Sequence, residues 1–294
     1  MAETETYVPR VPRSEHKLEI RGADYCVYEW GRADSPLFVY LHGWGDTGST
    51  FQFVVDALAA QWRVLAPDWR GFGRSACRCS SYWFPDYLAD LHALLERVSP
   101  DEPVRLVGHS MGANVAALYA GTFPERVKAF VNIEGFGLKD TDHADAPARY
   151  RAWIEAANET LSFSEYEDLS VLVERIRKRH SGISRAAAAL VAKEWSTVNA
   201  DGTVRLRADP LHKLPNPVLY RRAEAEACWR AVTATTLLVI GGQSRFATEL
   251  LDTSGADLFP GVETAKIDEA GHMMHVEAPG PLARTIENFL QKTL

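Results

Sequence analysis

A serine stands between two glycines in the segment Gly108-His109-Ser110-Met111-Gly112, where the apolar run VRLVGHS meets the helical pattern MGANVAALYAGTF. The spacing Gly-x-Ser-x-Gly between a strand and a helix is typical of a sharp turn that exposes a nucleophilic serine at the carboxyl edge of a sheet. The turn strains the serine backbone, so small residues are needed two positions before and after it. The helix N-terminus behind the serine favours negative charge that develops during a reaction. The pattern therefore predicts that Ser110 is a nucleophile.

A serine hydroxyl is a weak nucleophile and needs a base to remove its proton. The segment DEAGHMMHVEAPG supplies two histidines, His272 and His275. His272 directly follows a predicted strand and a glycine, which places it in a loop at the same edge of the sheet as Ser110. We therefore expect His272 to be the base and His275 to be a structural or pocket-lining residue.

Attack of the serine on a carbonyl carbon produces an oxyanion, which needs two preorganised hydrogen-bond donors. One expected donor is the backbone N–H of Met111, the residue after the nucleophile. The other is expected in the glycine-rich segment LHGWGDTGSTF, at the N–H of Trp44. Glycines on both sides of Trp44 would let this loop approach a substrate closely. The His42-Gly43 pair also fits an ordinary tight turn, and both interpretations can hold.

Short apolar runs alternate with longer helical patterns, which indicates an α/β fold with a mostly parallel central sheet and helices on both faces. About 100 residues separate the strand in FVNIEGFG from the next one, TTLLVIGG, and a structureless loop of that length is implausible. That interval instead contains helical patterns such as EDLSVLVERIRKRH. We therefore expect residues 1–136 and 226–294 to form a core and residues 137–225 to form an inserted helical cap.

Four segments stand in the order and spacing of the α/β-hydrolase family: LHGWGDTGSTF, APDWRGFGRS, LVGHSMGANVA and EAGHMMHVEAP. The chain resembles this family over nearly its full length, from about residue 17 onwards. Four matched motifs are far more specific than one. The resemblance implies a hydrolase in which a serine, a histidine and an acid act together.

The chain departs from the family's commonest pattern at the acid. That acid usually follows the strand found here as TTLLVIGG, as the aspartate of a Gly-x-x-Asp turn, but this chain reads GGQS with Ser244 at that place. Some relatives, including certain haloalkane dehalogenases, instead carry the acid after the preceding strand, where this chain has Glu134. The resemblance to those relatives implies that Glu134 is the acid.

Spacing favours the same residue independently of the family. Glu134 follows Ser110 by 24 positions, enough for a helix, a turn and a returning strand, so both side chains would emerge at the carboxyl ends of neighbouring parallel strands. A carboxylate after the apolar run AFVNI also needs a partner, because burying it alone is costly. A solvated glutamate at a loop start is the alternative. The rival acids are Glu249 and Asp252, which fall in a predicted helix near residues 246–252.

The expected activity is hydrolysis of a carboxylic ester, without a cofactor, through an acyl-enzyme on Ser110. Three alternatives stay open: an acyl-CoA thioesterase, which should show a basic rim near the cap, a carbon–carbon bond hydrolase, and a non-catalytic ligand-binding protein. The substrate is expected to be a small molecule. Its site is expected to include His42, Trp83, His109, Phe136, Trp153 and Trp195.

Composition excludes several other classes. The chain has 294 residues, 46% of them hydrophobic, and a net charge of −7, so it can bury a full core and carries no basic stripe for nucleic acid. The basic run RIRKRH at 175–180 is interpreted as the solvated end of a helix. No segment reaches about 18 uninterrupted apolar residues and the N-terminus lacks a signal-like apolar region, so we expect a cytoplasmic protein with no membrane span.

The cysteines predict reduced thiols and no metal site. Four cysteines are too few and too scattered for a disulfide scaffold. The pair Cys77-x-Cys79 lacks a second ligand cluster at zinc spacing. The sequence leaves the oligomeric state open.

Overall fold

Eleven strands occur in the parts of the chain that the computed structural model describes, residues 6–180, 182–245 and 258–294. They are β1 (Arg13–Ile20), β2 (Ala23–Trp30), β3 (Leu37–Leu41), β4 (Arg63–Pro67), β5 (Ala76–Cys77), β6 (Val104–His109), β7 (Val127–Ile133), β8 (Ser196–Val198), β9 (Val204–Leu206), β10 (Thr235–Gly241) and β11 (Glu263–Ile267).

The main sheet has the order β1-β2-β4-β3-β6-β7-β10-β11, and β5 pairs with β2. Strands β1 and β2 form an antiparallel hairpin, and β2 is also antiparallel to β4. Every neighbouring pair from β4 to β11 is parallel. Parallel strands end at the same edge, so the loops after β3, β6, β7 and β10 open together. The predicted mostly parallel central sheet is confirmed.

Helices cover both faces of this sheet. The α-helices in the described residues are α1 (Gln52–Val55), α2 (Phe84–Val98), α3 (Met111–Thr122), α4 (Ala146–Ala157), α5 (Leu169–Arg179), α6 (Arg185–Trp195), α7 (Arg222–Arg230), α8 (Met274–Glu277) and α9 (Pro279–Leu290). Successive strand residues point to opposite faces, so Leu106 joins the apolar cluster of α2 and α3 while Val107 joins the cluster of α1 and α9. The helices thus bury the sheet from both sides.

The interval between β7 and β10 contains α4 to α7 and also the antiparallel hairpin β8–β9, which the sequence analysis did not predict. Its turn is closed by the Asn199 N–H donating to the Thr203 carbonyl at 2.8 Å. Helix α7 crosses the predicted cap boundary at residues 225 and 226. It packs on α3, and Trp229 is buried in the core cluster of that face. By packing, α7 therefore belongs with the core.

Two cysteines depart from the expectation of reduced thiols. Cys77 and Cys79 form a disulfide with their Cα atoms 5.2 Å apart. Cα atoms two positions apart in an extended strand lie about 6.6 Å apart, so the chain bends after β5 and this bend brings the two sulfurs together. Cys26 and Cys228 are free.

The predicted helix near residues 246–252 lies outside the described residues. Within the residues that are described, no helix is both long enough and apolar enough to cross a membrane.

Candidate active site

Ser110 occupies the turn between β6 and α3. Its φ is +51°, in the left-handed region that non-glycine residues rarely adopt. The turn needs small neighbours, because a Cβ on Gly108 would lie 2.5 Å from the Ala113 Cα and a Cβ on Gly112 would lie 2.2 Å from the Leu41 carbonyl oxygen. A strained, closely packed turn therefore holds the Ser110 side chain at the carboxyl edge of the sheet.

Three side chains from separate loops meet at that edge. The Ser110 Oγ lies 3.1 Å from His272 Nε2, and His272 Nδ1 lies 2.9 Å from Glu134 Oε2. With the proton on Nδ1, His272 donates to the carboxylate and its Nε2 can accept the hydroxyl proton of Ser110. The arrangement can therefore activate the serine oxygen as a nucleophile.

The position of Glu134 is fixed by further contacts. This residue follows β7 with a φ of +56°, and its side chain is buried. Its Oε1 accepts from the Gly241 N–H at 2.8 Å, and its Oε2 accepts from the Ser244 hydroxyl at 2.5 Å. The serine that stands at the family's usual acid position thus binds the carboxylate supplied by β7. The rivals Glu249 and Asp252 lie outside the described residues.

Two backbone N–H groups near Ser110 have no hydrogen-bond partner in the part of the chain that is described: those of Trp44 and Met111. Met111 is the first residue of α3, where an N–H has no intrahelical acceptor. Trp44 is in the loop after β3, and its side chain is 54% exposed. Both predicted oxyanion donors are therefore unoccupied.

A buried polar cluster lies behind the Trp44 loop. Asp46 Oδ2 contacts His275 Nε2 at 2.9 Å, while Asp46 Oδ1 accepts from Thr50 Oγ1 at 2.9 Å and from Trp195 Nε1 at 2.7 Å. Burial alone would raise the pKa of Asp46, but the contact with His275 holds it below its ordinary value. His275 is thus a structural residue that joins two loops of the site.

The same cluster includes the one group of possible metal ligands found among the described residues. Donor atoms of Asp46, His109 and His275 lie within 4.8 Å of one another, and all three residues are buried. Both Asp46 oxygens already accept hydrogen bonds from protein groups. A cation there would have to displace these contacts, so the arrangement fits a hydrogen-bonded cluster better than a metal site.

His42, predicted to be at the substrate site, lies inside the loop after β3. It is fully buried, its Nδ1–H donates to the Gly43 carbonyl at 2.7 Å, and its Nε2 accepts from the Trp69 N–H at 2.8 Å. Burial lowers the pKa of His42 to about 4. The side chain is therefore a neutral brace inside the loop after β3.

A cavity of about 790 Å³ opens at Ser110 and His272, between the core and the β7–β10 insertion. His109 and Trp195, two of the predicted substrate-site residues, line it. His109 is nearly inaccessible, however, and its Nε2 contacts the His272 carbonyl at 2.8 Å. It therefore positions the His272 loop more than it presents a free polar group to a ligand.

Three other predicted substrate-site residues lie away from the cavity lining. Trp83 precedes α2 as its N-cap residue, Phe136 is buried against β10, and Trp153 lies on α4. Aromatic residues next to a site in sequence need not face it, because packing of each element decides which side points inward. That these three residues contact the substrate stays a prediction, and the described cavity lining does not include them.

The cavity also has a wall that the sequence analysis missed. Helix α5 contributes Leu172, Arg175, Ile176 and Arg179 to the lining. The positions 172, 175, 176 and 179 share one helical face, a spacing that the sequence shows but whose direction it does not. The basic run at 175–180 is therefore only partly a solvated helix end, since Arg175 and Arg179 line the cavity.

Known proteins resemble this chain over most of its length. The family model of the alpha/beta hydrolase fold matches residues 36–279. The chain is 26% identical to the Serine hydrolase-like protein of Danio rerio, over 97% of this chain and 91% of that protein. It is 24% identical to the 2-(acetamidomethylene)succinate hydrolase of Mesorhizobium japonicum, over 88% of this chain and 89% of that protein.

Solved structures show the same architecture. The thioesterase domain from the curacin biosynthetic pathway has a TM-score of 0.85 and 25% identity, covering 94% of this chain and 99% of that chain. A hypothetical protein from Pseudomonas aeruginosa PAO1 has a TM-score of 0.84 and 28% identity, with the same coverage of 94% and 99%. The similarity therefore extends across the sheet and the insertion.

Proposed function

Because the chain belongs to the α/β-hydrolase fold family, we propose that it is a serine hydrolase in which Ser110, His272 and Glu134 form a catalytic triad. The observation that carries this proposal is the continuous chain of contacts from Ser110 Oγ through the imidazole to the buried carboxylate, at 3.1 and 2.9 Å. Nucleophile, base and acid are each within hydrogen-bond reach of the next group.

Acyl transfer follows from the roles of these three residues. His272 Nε2 takes the proton of Ser110 as Oγ attacks the carbonyl carbon, and the imidazolium then gives that proton to the leaving group. Glu134 holds the ring through Nδ1–H and stabilises its positive charge. Water, deprotonated by His272, then attacks the acyl-enzyme and releases the acid and free Ser110.

The oxyanion of each tetrahedral intermediate would bind to the N–H groups of Trp44 and Met111. Both donors are without partners among the described residues, and the second is at the N-terminus of α3. Preorganised donors of this kind stabilise charge that is larger in the transition state than in the substrate. We assign these two residues as the oxyanion hole.

We propose a small-molecule carboxylic ester as the substrate class, selected by the inserted segment 137–225 acting as a cap. The cavity supports this role, because helix α5 and Trp195 of the insertion face the Ser110 edge of the core across it. A thioester is the second candidate. Similarity to a thioesterase domain over 94% of this chain favours it, and the same triad would cleave either bond.

Covalent labelling tests the enzyme assignment directly. A fluorophosphonate should modify Ser110, as read by mass spectrometry of the peptide, and the Ser110→Ala variant should lose the label. Hydrolysis of p-nitrophenyl esters should fall in Ser110→Ala by a factor on the order of 10⁵–10⁶ in kcat, with folding intact.

The exposed Ser14 provides a matched control. Ser14→Ala should keep both the label and the rate. A Ser110→Ala preparation that retains a tenth of the activity would remove Ser110 as the nucleophile. An unlabelled but folded wild-type protein would favour the non-catalytic ligand-binding alternative.

A further inference from the structure

We propose that the cavity binds substrates carrying an anionic group remote from the scissile carbonyl, and that Arg175, Arg179 and Arg207 hold that group. This inference rests on the proposed acyl-transfer function and specifies its substrate class.

The three arginines reach the cavity from two separate elements of the insertion. Arg175 and Arg179 are four positions apart on α5, so they lie on the same helical face, and both line the cavity. Arg207 follows β9 and lines it as well. The cation-bearing wall therefore does not depend on one helix end, where basic residues are common for reasons of helix polarity alone.

None of the three arginines has a carboxylate within ion-pair distance among the described residues. The Arg207 Nε donates to the Ser196 carbonyl at 2.7 Å, which orients the guanidinium, and its two Nη groups have no partner among the described residues. Arg175 lies over the Tyr166 ring at 5.9 Å. By contrast, Arg177 of the same helix, which is not in the lining, pairs with Glu174 at 3.2 Å. On α5, therefore, the two arginines that line the cavity have no ion pair in the described part of the chain, whereas Arg177 has one.

The carboxylates of the cavity lining do not pair with these three arginines. Asp46 is bound by His275 and Glu277 by His180, each at 2.9 Å. Glu269 is the remaining acidic residue of the lining, and it is exposed, without an ion pair in the described residues. Arg175, Arg179 and Arg207 therefore lack a carboxylate partner among the described residues, and an anionic ligand in the cavity would supply one.

Guanidinium groups bind carboxylates and phosphates through paired N–H donors, which makes arginine the usual residue for both anions. Apolar side chains of the same wall, Leu172 and Ile176, suit the chain between the anion and the reacting carbonyl. Two sources share this chemistry: a carboxylate at the far end of the acyl group, or a phosphate on the leaving group of a thioester. Both place the charge away from Ser110.

Two matched substrate pairs separate these sources. Mono-p-nitrophenyl adipate and p-nitrophenyl hexanoate have the same acyl length but differ in a terminal carboxylate. Hexanoyl-CoA and the hexanoyl thioester of N-acetylcysteamine differ in the phosphates of the leaving group. We expect kcat/KM for the anionic member of one pair to exceed that of its neutral partner by about tenfold or more.

The variants Arg179→Gln and Arg207→Gln should lower kcat/KM for the anionic substrate by about tenfold each, mainly through KM, and change the neutral substrate less than about twofold. Lys178→Gln is the matched control, because it removes the same charge from an adjacent, exposed position outside the lining. This control variant should leave kcat/KM unchanged for both the anionic and the neutral substrate. About 0.5 M NaCl should reduce the preference for the anion.

Binding to the Ser110→Ala variant separates this inference from the proposed chemistry. Isothermal titration with monomethyl adipate against dimethyl adipate, and with S-hexyl-CoA against S-hexyl-N-acetylcysteamine, requires no turnover. If an anionic member binds in an arginine-dependent way but the wild-type protein hydrolyses none of the substrates, the acyl-transfer function is refuted and the anion site is supported. Hydrolysis of neutral esters, with no anion preference in either pair or with arginine variants that affect both members equally, would overturn the anion site alone.

Discussion

Glu134 and Ser244 together distinguish this candidate site from the commonest arrangement of its family. The carboxylate of Glu134 lies at the end of β7, and Ser244, at the family's usual acid position, donates a hydrogen bond to it. The Gly241 N–H supplies a second hydrogen bond. The buried charge is therefore satisfied at both oxygens even though it comes from a different strand.

Replacing the acid tests this assignment at the level of one atom. Glu134→Gln keeps the shape of the side chain but removes its charge and can leave the imidazole in the wrong tautomer, so we expect kcat to fall by a factor approaching 10⁴. Ser244→Ala, which removes only one hydrogen bond to the carboxylate, should cost less than about tenfold. Steady-state hydrolysis of a p-nitrophenyl ester measures both.

The rival acids provide the contradicting outcome. Glu249→Gln and Asp252→Asn should each change kcat by less than about tenfold. If Asp252→Asn lowers kcat strongly while Glu134→Gln leaves kcat nearly unchanged, Asp252 and not Glu134 is the acid. The roles of Ser110 and His272 would survive that result.

Helix α6 connects the insertion to the loop that carries Trp44. Its last residue, Trp195, donates from Nε1 to the buried Asp46 carboxylate at 2.7 Å. Asp46 in turn holds His275, three positions after His272. The insertion is thus hydrogen-bonded directly to the Trp44 loop and, through Asp46, to the loop that carries His272.

Breaking this contact should loosen the site more than the fold. For Trp195→Phe we expect a loss of about 1–3 kcal/mol in the free energy of unfolding, because a hydrogen bond to a charged group is lost. The fall in kcat/KM should be about tenfold or more, because the Trp44 loop loses its anchor. Urea unfolding and ester hydrolysis measure the two effects.

Trp153→Phe on α4 is the matched control for the same chemical change. That helix has no buried residue, and Trp153 is not in the cavity lining. Its replacement should stay within about 0.5 kcal/mol and leave kcat/KM unchanged. Equal effects of the two substitutions on kcat/KM would show that the Asp46 contact does not support the site.

Buried neutral histidines make the stability of the whole molecule depend on pH. Burial lowers the pKa of His42 and of His212 to about 4, and that of His109 well below its ordinary value. Protonation of His42 would also cancel its acceptance of the Trp69 N–H. The unfolded chain therefore binds protons that the folded chain does not bind. The free energy of unfolding consequently decreases as the pH is lowered.

The sign and the range follow from these values. The contribution of His42 is complete above the unfolded pKa of about 6.5 and is lost as the pH falls from there to about 4. The full loss for this one residue is about 3 kcal/mol. Asp68 acts in the opposite direction, since burial raises its pKa to about 7, so the slope specific to His42 must be read from a variant.

We expect the unfolding midpoint in urea to fall between pH 7 and pH 4.5 in the wild type and to fall less steeply in His42→Gln. His143→Gln, at a side chain that is 91% exposed, should keep the wild-type slope. Parallel pH profiles for the wild type and His42→Gln would mean that His42 does not remain neutral in the folded state.

Local chemistry in the sequence was sufficient to predict the sheet and the three side chains that meet at its edge. The Gly-x-Ser-x-Gly spacing identifies the turn because only glycines fit two positions before and after Ser110. A Cβ atom at Gly108 or Gly112 would lie less than 3 Å from backbone atoms. Alternating apolar runs predict parallel strands, and parallel strands bring their carboxyl ends to one edge. The meeting of Ser110, Glu134 and His272 follows from those two local rules and from the family resemblance.

The cavity wall and its charge were decided only by tertiary packing. Helical spacing shows that Leu172, Arg175, Ile176 and Arg179 share a face, but the angle at which α5 docks determines whether that face meets the cavity or solvent. The hairpin β8–β9 and the docking of α7 on α3 depend in the same way on contacts between residues distant in sequence. Periodicity determines which residues lie together on an element, whereas only the packing of elements determines what that face meets.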